Sequence, residues 1–355
     1  MNTERSRVSA GTATDSQTGE VPGSGSPGAR PFSGLTPDVV LDALDSVGLR
    51  GDGRMLALNS YENRVYRVAI ADGSLRVAKF YRPDRWTDAQ IEEEHAFVSE
   101  LAAEEIPVVA PLALSDRTLH PFGGYRFSVY PNCGGRAPEL DDRATREWLG
   151  RFVGRIHAVG RRAPFRERPR LDVASFGDEP REWLLSHGFV PRDLVEAYTS
   201  IVGLALDGVR RGFDRAGAIR SLRLHGDCHA GNVLWISEGA NAGPHFVDFD
   251  DSRSGPAVHD LWMLLSGDRD EMTAQLADIL AGYEGFCDFD RRELVLIEPL
   301  RTLRLVHYAA WLARRWDDPA FPAAFPWFNT QRYWQDRILE LREQVAAMEE
   351  PPLEA

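Results

Sequence analysis

The sequence predicts an α+β protein in two lobes, a small β-rich N-terminal one and a larger, mainly helical C-terminal one. Three observations carry this reading. Period-two runs of β-branched and aromatic residues are concentrated between Met55 and Tyr81 and recur up to Tyr130. A glycine pair, Gly134-Gly135, then interrupts the pattern. Beyond it, helical periodicity dominates to the C-terminus, broken by one β segment over residues 222–250. With 355 residues, 43% of them hydrophobic, the chain has the length for about two folded units and enough apolar mass for a core.

The first 34 residues contain 19 Ser, Gly, Thr or Pro and read as a disordered tail, because so few apolar groups cannot offset the entropy of ordering them. Structure is expected from Thr36-Pro37-Asp38, an N-cap, a proline at the first helical position and an acidic first turn. Two strands, Val65–Ile70 and Leu75–Phe80, flank Asp72-Gly73 and form a hairpin. A helix follows over 88–104, then strand candidates at 108–114 and 125–130, and Gly134-Gly135 reads as a hinge. We therefore expect an N-lobe over 35–131 and a C-lobe over 132–355. The C-lobe begins with an amphipathic helix over 143–161, followed by helices near 180–187 and 191–211. After the β interlude, helices continue from Ala257 to about Ala347.

Composition excludes several classes. The 41 Lys plus Arg against 54 Asp plus Glu leave a net charge of −13, which argues against a protein that wraps nucleic acid. No run approaches the roughly 18 apolar residues of a membrane helix, and no secretory signal precedes the fold. A cytoplasmic, monomeric protein without a membrane partner is the expectation. The three cysteines, Cys133, Cys228 and Cys287, are far apart and signal neither disulfides nor a zinc site. One skew stands out: 40 of the 41 basic residues are Arg, and Lys79 is the only lysine.

Chemistry concentrates in the β interlude. Asp227 and Asn232 lie five apart in an irregular loop after His225-Gly226, and Asp248 ends a second strand in Asp248-Phe249-Asp250. A hairpin would return Asp248 beside Asn232, giving an outward-facing acid and an Asn plus Asp pair of oxygen donors for a hard cation such as Mg²⁺. An Asp, four intervening residues and an Asn, followed by a second Asp on the next strand, is the pattern with which kinases orient a hydroxyl and hold magnesium on ATP. Lys79, on the second hairpin strand, is placed to meet the phosphates as a compact point charge. The next helix offers Glu94, or failing that Glu93, to hold that ammonium in place.

The form His225-Gly226-Asp227 with Asp248-Phe249-Asp250 resembles the aminoglycoside phosphotransferase and choline kinase branch of the protein-kinase-like fold. Longer strings bring one family closer: Leu58–Tyr66, Lys79–Pro83, Leu224–Asn232 and Gly255–Leu265 resemble the bacterial stress response kinase A proteins over about residues 35–353. That resemblance implies an ATP- and Mg²⁺-dependent kinase acting on Ser and Thr of proteins. It makes Asp227 the proton acceptor, Asn232 and Asp248 the metal ligands, and Ser60 an ATP contact. It also puts the adenine against the linker at 129–133. No Gly-rich phosphate loop is present, so backbone amides with the Ser60 and Asn63 side chains would cover the phosphates. No long activation segment follows Asp248.

Several of these residues have a second reading. His225 and Asp260 read as structural, fixing the loop. Asp250 reads as a supporting acid, with metal contact as the alternative. His225-x-Asp227-x-His229 superficially suggests a metallohydrolase, yet further ligands have no recognisable pattern. The face with Arg301, Arg304, Tyr308, Trp311, Arg314, Arg315 and Trp316 reads as packing, with the substrate cleft as the second reading. Cys228 beside Asp227 invites redox control. A small-molecule phosphotransferase for an amino alcohol or aminoglycoside shares all these residues, and the acidic chain would suit a cationic acceptor. A nucleotide-binding pseudokinase is disfavoured because no catalytic position is missing.

Overall fold

The structure is a computed structural model and describes residues 31–239 and 242–354. Residues 1–30 of the expected tail lie outside the described residues. Residues 31–34 pack onto the N-lobe: Phe32 is buried, stacks on Tyr125 and lies under the Arg64 guanidinium. A single aromatic with a built cradle orders a stretch whose composition reads as tail.

Helix α1 (Pro37–Ser46) starts where the cap signal puts it, with Thr36 Oγ1 accepting the Val39 N–H at 3.3 Å. It buries Val40, Ala43 and Leu44 against a sheet that begins with β1 (Gly51–Ala57), β2 (Arg64–Ile70) and β3 (Leu75–Phe80). The β2–β3 turn falls at Asp72-Gly73. The Asp72 carboxylate accepts the Ser74 N–H at 2.8 Å, and Gly73 takes φ +88°, a value that favours glycine. Helix α2 (Asp88–Ala103) opens with a reciprocal Thr87–Gln90 capping box. The sheet is completed by β4 (His120–Phe122) and β5 (Tyr125–Pro131), in the antiparallel order β1-β2-β3-β5-β4. This register sets Lys79 between Val65 of β2 and Ser128 of β5.

Residues 108–114 do not form the expected strand. Pro107 and Pro111 remove ladder donors, and the segment runs extended between lobes, touching Phe246 and Val129 with single hydrogen bonds. The expected hinge is also tied down. Arg136 and Trp235 exchange backbone hydrogen bonds of 3.2 and 2.6 Å. Gly135 takes φ +137°, and a Cβ there would lie 2.9 Å from Leu234 Cβ, so only glycine lets the linker approach so closely.

The C-lobe contains α3 (Arg143–Gly160), α4 (Glu179–Ser186) and α5 (Val195–Ala216). Two small antiparallel pairs follow, β6 (Leu222–Leu224) with β9 (Arg253–Gly255) and β7 (Val233–Ile236) with β8 (Gly243–Phe246). The remaining helices are α6 (His259–Trp262), α7 (Arg269–Tyr283), α8 (Ile297–Ala313), α9 (Ala320–Ala324) and α10 (Gln331–Ala347). Backbone contact between α3 and α7 is close, because Gly150, Gly154 and Gly282 leave no Cβ to hold the helices apart. One core lies beneath the N-terminal sheet; the larger core fills the C-lobe and takes in Phe97, Val98 and Leu101 of α2. Helix α2 is thus the wedge between lobes. No described helix is long and apolar enough to cross a membrane.

Candidate active site

The loop after β6 is held from below by one buried carboxylate. Asp260, in α6, accepts the His225 N–H on Oδ2 at 2.7 Å and the Gly226 N–H on Oδ1 at 2.9 Å. His157 Nε2 of α3 donates to Oδ2 at 3.0 Å. Burial opposes charge on Asp260, yet the His157 hydrogen bond and the surrounding histidines hold its pKa below the usual carboxylate range. His225 Nε2 donates to the Val247 carbonyl at 2.9 Å, tying the loop to the segment after β8 that carries Asp248; that residue lies two residues past the end of the strand it was expected to close. Gly226 takes φ +86° and lies against the Asp251 carbonyl, where any side chain would collide. His225 and Asp260 therefore fix the loop, as their sequence context suggests.

Above that base, four residues converge: Asp227 and Asn232 from the loop, Asp248 from the segment after β8, and Lys79 from β3. Asn232 Nδ2 donates to the Asp227 carbonyl at 2.9 Å and reaches its carboxylate at 3.3 Å. The Asn232 carbonyl accepts the Val247 N–H at 3.0 Å, which registers Asp248 beside it. Asp248 is left-handed, φ +60°, and its side chain is 56% exposed toward the cleft. Lys79 Nζ, buried in β3, lies 3.0 Å from Asp248 Oδ1 and 3.2 Å from Asp250 Oδ1. Burial disfavours the ammonium, but those two carboxylates outweigh it and raise its pKa well above the usual lysine range.

Other expected site residues sit differently. Glu94 is buried near Lys79 but makes no ion pair with it, because Asp248 and Asp250 take the ammonium. Burial pushes Glu94 up to about 7 despite the lysine's charge. Glu93 instead accepts the N–H groups of Arg166, Glu167 and Arg168 at 2.6, 2.8 and 2.7 Å. Asn63 is 3% exposed and engaged at both ends: Nδ2 donates to Asp250 at 3.1 Å, and Oδ1 accepts the Arg82 N–H at 3.0 Å. That geometry ties the lobes together and turns Asn63 away from the phosphate-covering role expected of it. Ser60 Oγ donates to the Asn63 carbonyl at 3.3 Å, in a loop secured by Glu62, which accepts from Trp311 Nε1 at 2.6 Å.

Two basic residues add to the site. Arg85, which had no motif to mark it, pairs with both Asp250 and Asp251. Arg304, on the Arg and aromatic face of α8, reaches Asp227 Oδ1 at 2.7 Å. Burial would raise the Asp227 pKa, but the His229 hydrogen bond and the Arg304 charge hold it at about 2. Of that face, Arg301 and Arg304 border the cleft, while Trp311 and Arg315 bind Glu62 and Trp316 packs on Phe328, as the packing reading has it. Beside Asp227 opens a cavity of about 400 Å³, lined by Arg301, Arg304, His229 and residues of the α6–α7 region. Cys228 is 1% exposed and burial pushes its thiol up, which describes an inert packing cysteine.

The donor set suits a hard divalent cation. Asp248 is exposed on the cleft, and Asn232, whose Nδ2 is spent on Asp227, keeps its Oδ1 as a donor; no described cluster of three or more His, Cys, Asp or Glu could cage a metal. Two protein oxygens fit Mg²⁺, which keeps waters and shares substrate phosphates. The His225-x-Asp227-x-His229 zinc reading fails, since His225 Nε2 is spent on the Val247 carbonyl and His229 Nδ1 on the Gly231 N–H.

Comparison with known proteins finds kinases and phosphotransferases among those similar to this chain. Residues 55–297 match the phosphotransferase enzyme family. Stress response kinase A of Salmonella choleraesuis (strain SC-B67) is 46% identical over 323 residues, 91% of this chain and 96% of that protein. Serine/threonine protein kinase RdoA of Salmonella typhimurium and stress response kinase A of Escherichia coli K12 are each 45% identical over the same shares. Among solved structures, amicoumacin kinase hAmiN in complex with AMP-PNP, Ca²⁺ and Ami is similar with a TM-score of 0.67, 19% identity and coverage of 89% of this chain and 94% of that one. The microcompartment-associated aminopropanol kinase gives 0.66 and 19%, covering 88% and 97%. On these matches the chain belongs to the phosphotransferase enzyme family and, within it, to the stress response kinase A family.

Proposed function

We propose that this kinase transfers the γ-phosphoryl group of ATP, with Mg²⁺, to Ser and Thr hydroxyls of proteins as part of a bacterial stress response. The observation that carries the chemistry is the convergence of Asp227, Asn232, Asp248 and Lys79, with Lys79 3.0 Å from Asp248 across 169 residues of sequence. The name of a relative 45% identical, a serine/threonine protein kinase, supports the acceptor class.

Lys79 stays charged at any physiological pH and is placed to exchange a carboxylate for a phosphate oxygen when nucleotide enters. Asn232 and Asp248 would hold Mg²⁺, which when bound neutralises the phosphates and the charge that develops on transfer. Asp227, held near 2, is fully ionised and a weak base, so its task is to accept a hydrogen bond from the acceptor hydroxyl and aim it in line. That suits a loose transition state in which the hydroxyl proton passes late to the Asp227 carboxylate as the new P–O bond forms. Asn232 keeps the Asp227 carbonyl and carboxylate in place throughout.

A small-molecule acceptor is the second reading, favoured by the cavity of about 400 Å³ beside Asp227. Incubation with radiolabelled ATP, Mg²⁺, a generic protein substrate and a panel of amino alcohols separates the two by where label appears. Asp227→Ala should lower transfer roughly 10²- to 10⁴-fold while leaving the melting temperature near wild type. Unchanged turnover in that variant would refute the catalytic assignment.

A further inference from the structure

We infer that the acceptor side of the site selects an anionic segment, a Ser or Thr flanked by carboxylates, and rejects cationic acceptors. This rests on the protein-kinase reading above. The cavity beside Asp227 is lined by Arg301, Arg304, His229, Trp262, Met263 and Ser266 among others, and its charged lining groups are all basic. Nearby acids are already engaged. Glu298 pairs with Arg301 Nη1 at 3.1 Å, Glu271 accepts the Asp268 N–H at 2.9 Å, and Asp227 faces Arg304.

Both guanidiniums keep donors to spare. Arg301 Nη2 has only the Met272 thioether, at 3.5 Å, and Arg304 meets Asp227 with Nη1 at 2.7 Å, its side chain 39% exposed. Planar forks with free N–H groups match carboxylates in two-point geometry. A substrate amine would find no acidic residue in the lining to receive it. The aromatic that could offer it a π face, Trp262, is already covered by Arg301, 5.6 Å from the ring centroid. An acceptor hydroxyl at Asp227 instead brings a neighbouring carboxylate within reach of Arg304 or Arg301. The net charge of −13 has the opposite sign, so the preference is set by contact in the cavity and not by long-range steering.

The test uses the full chain with Mg²⁺ and ATP and three Ser peptides of equal length, flanked by Asp, by Ala or by Arg. The Asp-flanked peptide should exceed the Arg-flanked one in kcat/KM by roughly 10-fold or more, mainly through KM. Arg301→Glu should reverse the order. Arg301→Gln, which removes charge with less disturbance of α8, should flatten it. Melting temperatures confirm that both variants fold. Peptides labelled without charge preference, or an order untouched by both Arg301 variants, would overturn the inference and leave the protein-kinase reading standing. Label on ethanolamine or aminopropanol with none on any peptide would overturn both.

Discussion

Asp260→Asn removes one charge and keeps the shape, which makes it a clean probe of the post under the catalytic loop. The carboxylate accepts three hydrogen bonds, from His225 N–H at 2.7 Å, Gly226 N–H at 2.9 Å and His157 Nε2 at 3.0 Å, and has no exposure to solvent. The asparagine amide must turn its NH₂ toward one side. The less costly choice strands Gly226, which leaves a buried donor unpaired at roughly 1–3 kcal/mol. The two remaining bonds weaken from charge-assisted to neutral, losing about 1 kcal/mol each. The sum is about 3–5 kcal/mol of stability. A loop shifted by an ångström at Asp227 should also cost on the order of 100-fold in kcat. Guanidinium denaturation gives the first number and steady-state ATP turnover the second. A variant within 1 kcal/mol of wild type and with kcat within two-fold would refute the claim that Asp260 positions the loop.

Other expectations follow from single contacts. Lys79→Arg should lose at least about 10-fold in kcat/KM for ATP, since a planar guanidinium does not fit the buried slot between Asp248 and Asp250; retained activity would show that the lone lysine is incidental. Phe32→Ala should cost about 2–4 kcal/mol, from lost burial and the Arg64 contact 4.5 Å over its ring, read as a lower melting temperature. Burial holds the Glu293 carboxyl at about 7, above its ordinary 4.5. Its ionisation therefore costs stability, which should fall as pH rises from about 4.5 to about 7 and then level off. Glu293→Gln keeps an acceptor for the Val258 N–H and should remove that fall, gaining up to about 3 kcal/mol at pH 8 in denaturation measured across pH.

Where signals are local, the chain is readable. Thr36-Pro37 caps α1, Asp72-Gly73 turns the β2–β3 hairpin, and the run from His225 to Asn232 holds its chemistry within one loop. Each of these depends on neighbours a few residues away, so spacing and residue type suffice. Elsewhere local signals misled. The stretch 108–114 has strand-like residues but two prolines in or beside it, and β4 is three residues long, too short to show a period. Phe32 vanished into an averaged composition that says nothing of the Tyr125 and Arg64 surfaces awaiting it.

The same division runs through the site. Chain order was enough to nominate Asp227, Asn232, Asp248 and Lys79, because motif spacing and the scarcity of lysine are properties of the sequence. The fold had to decide that Lys79 pairs with Asp248 and Asp250 and not with Glu94, that Asn63 clasps the lobes, and that Arg304 reaches Asp227 from 77 residues away. Ion pairing between distant residues is set by distance and desolvation once the lobes meet, and neither quantity is written in the order of the residues.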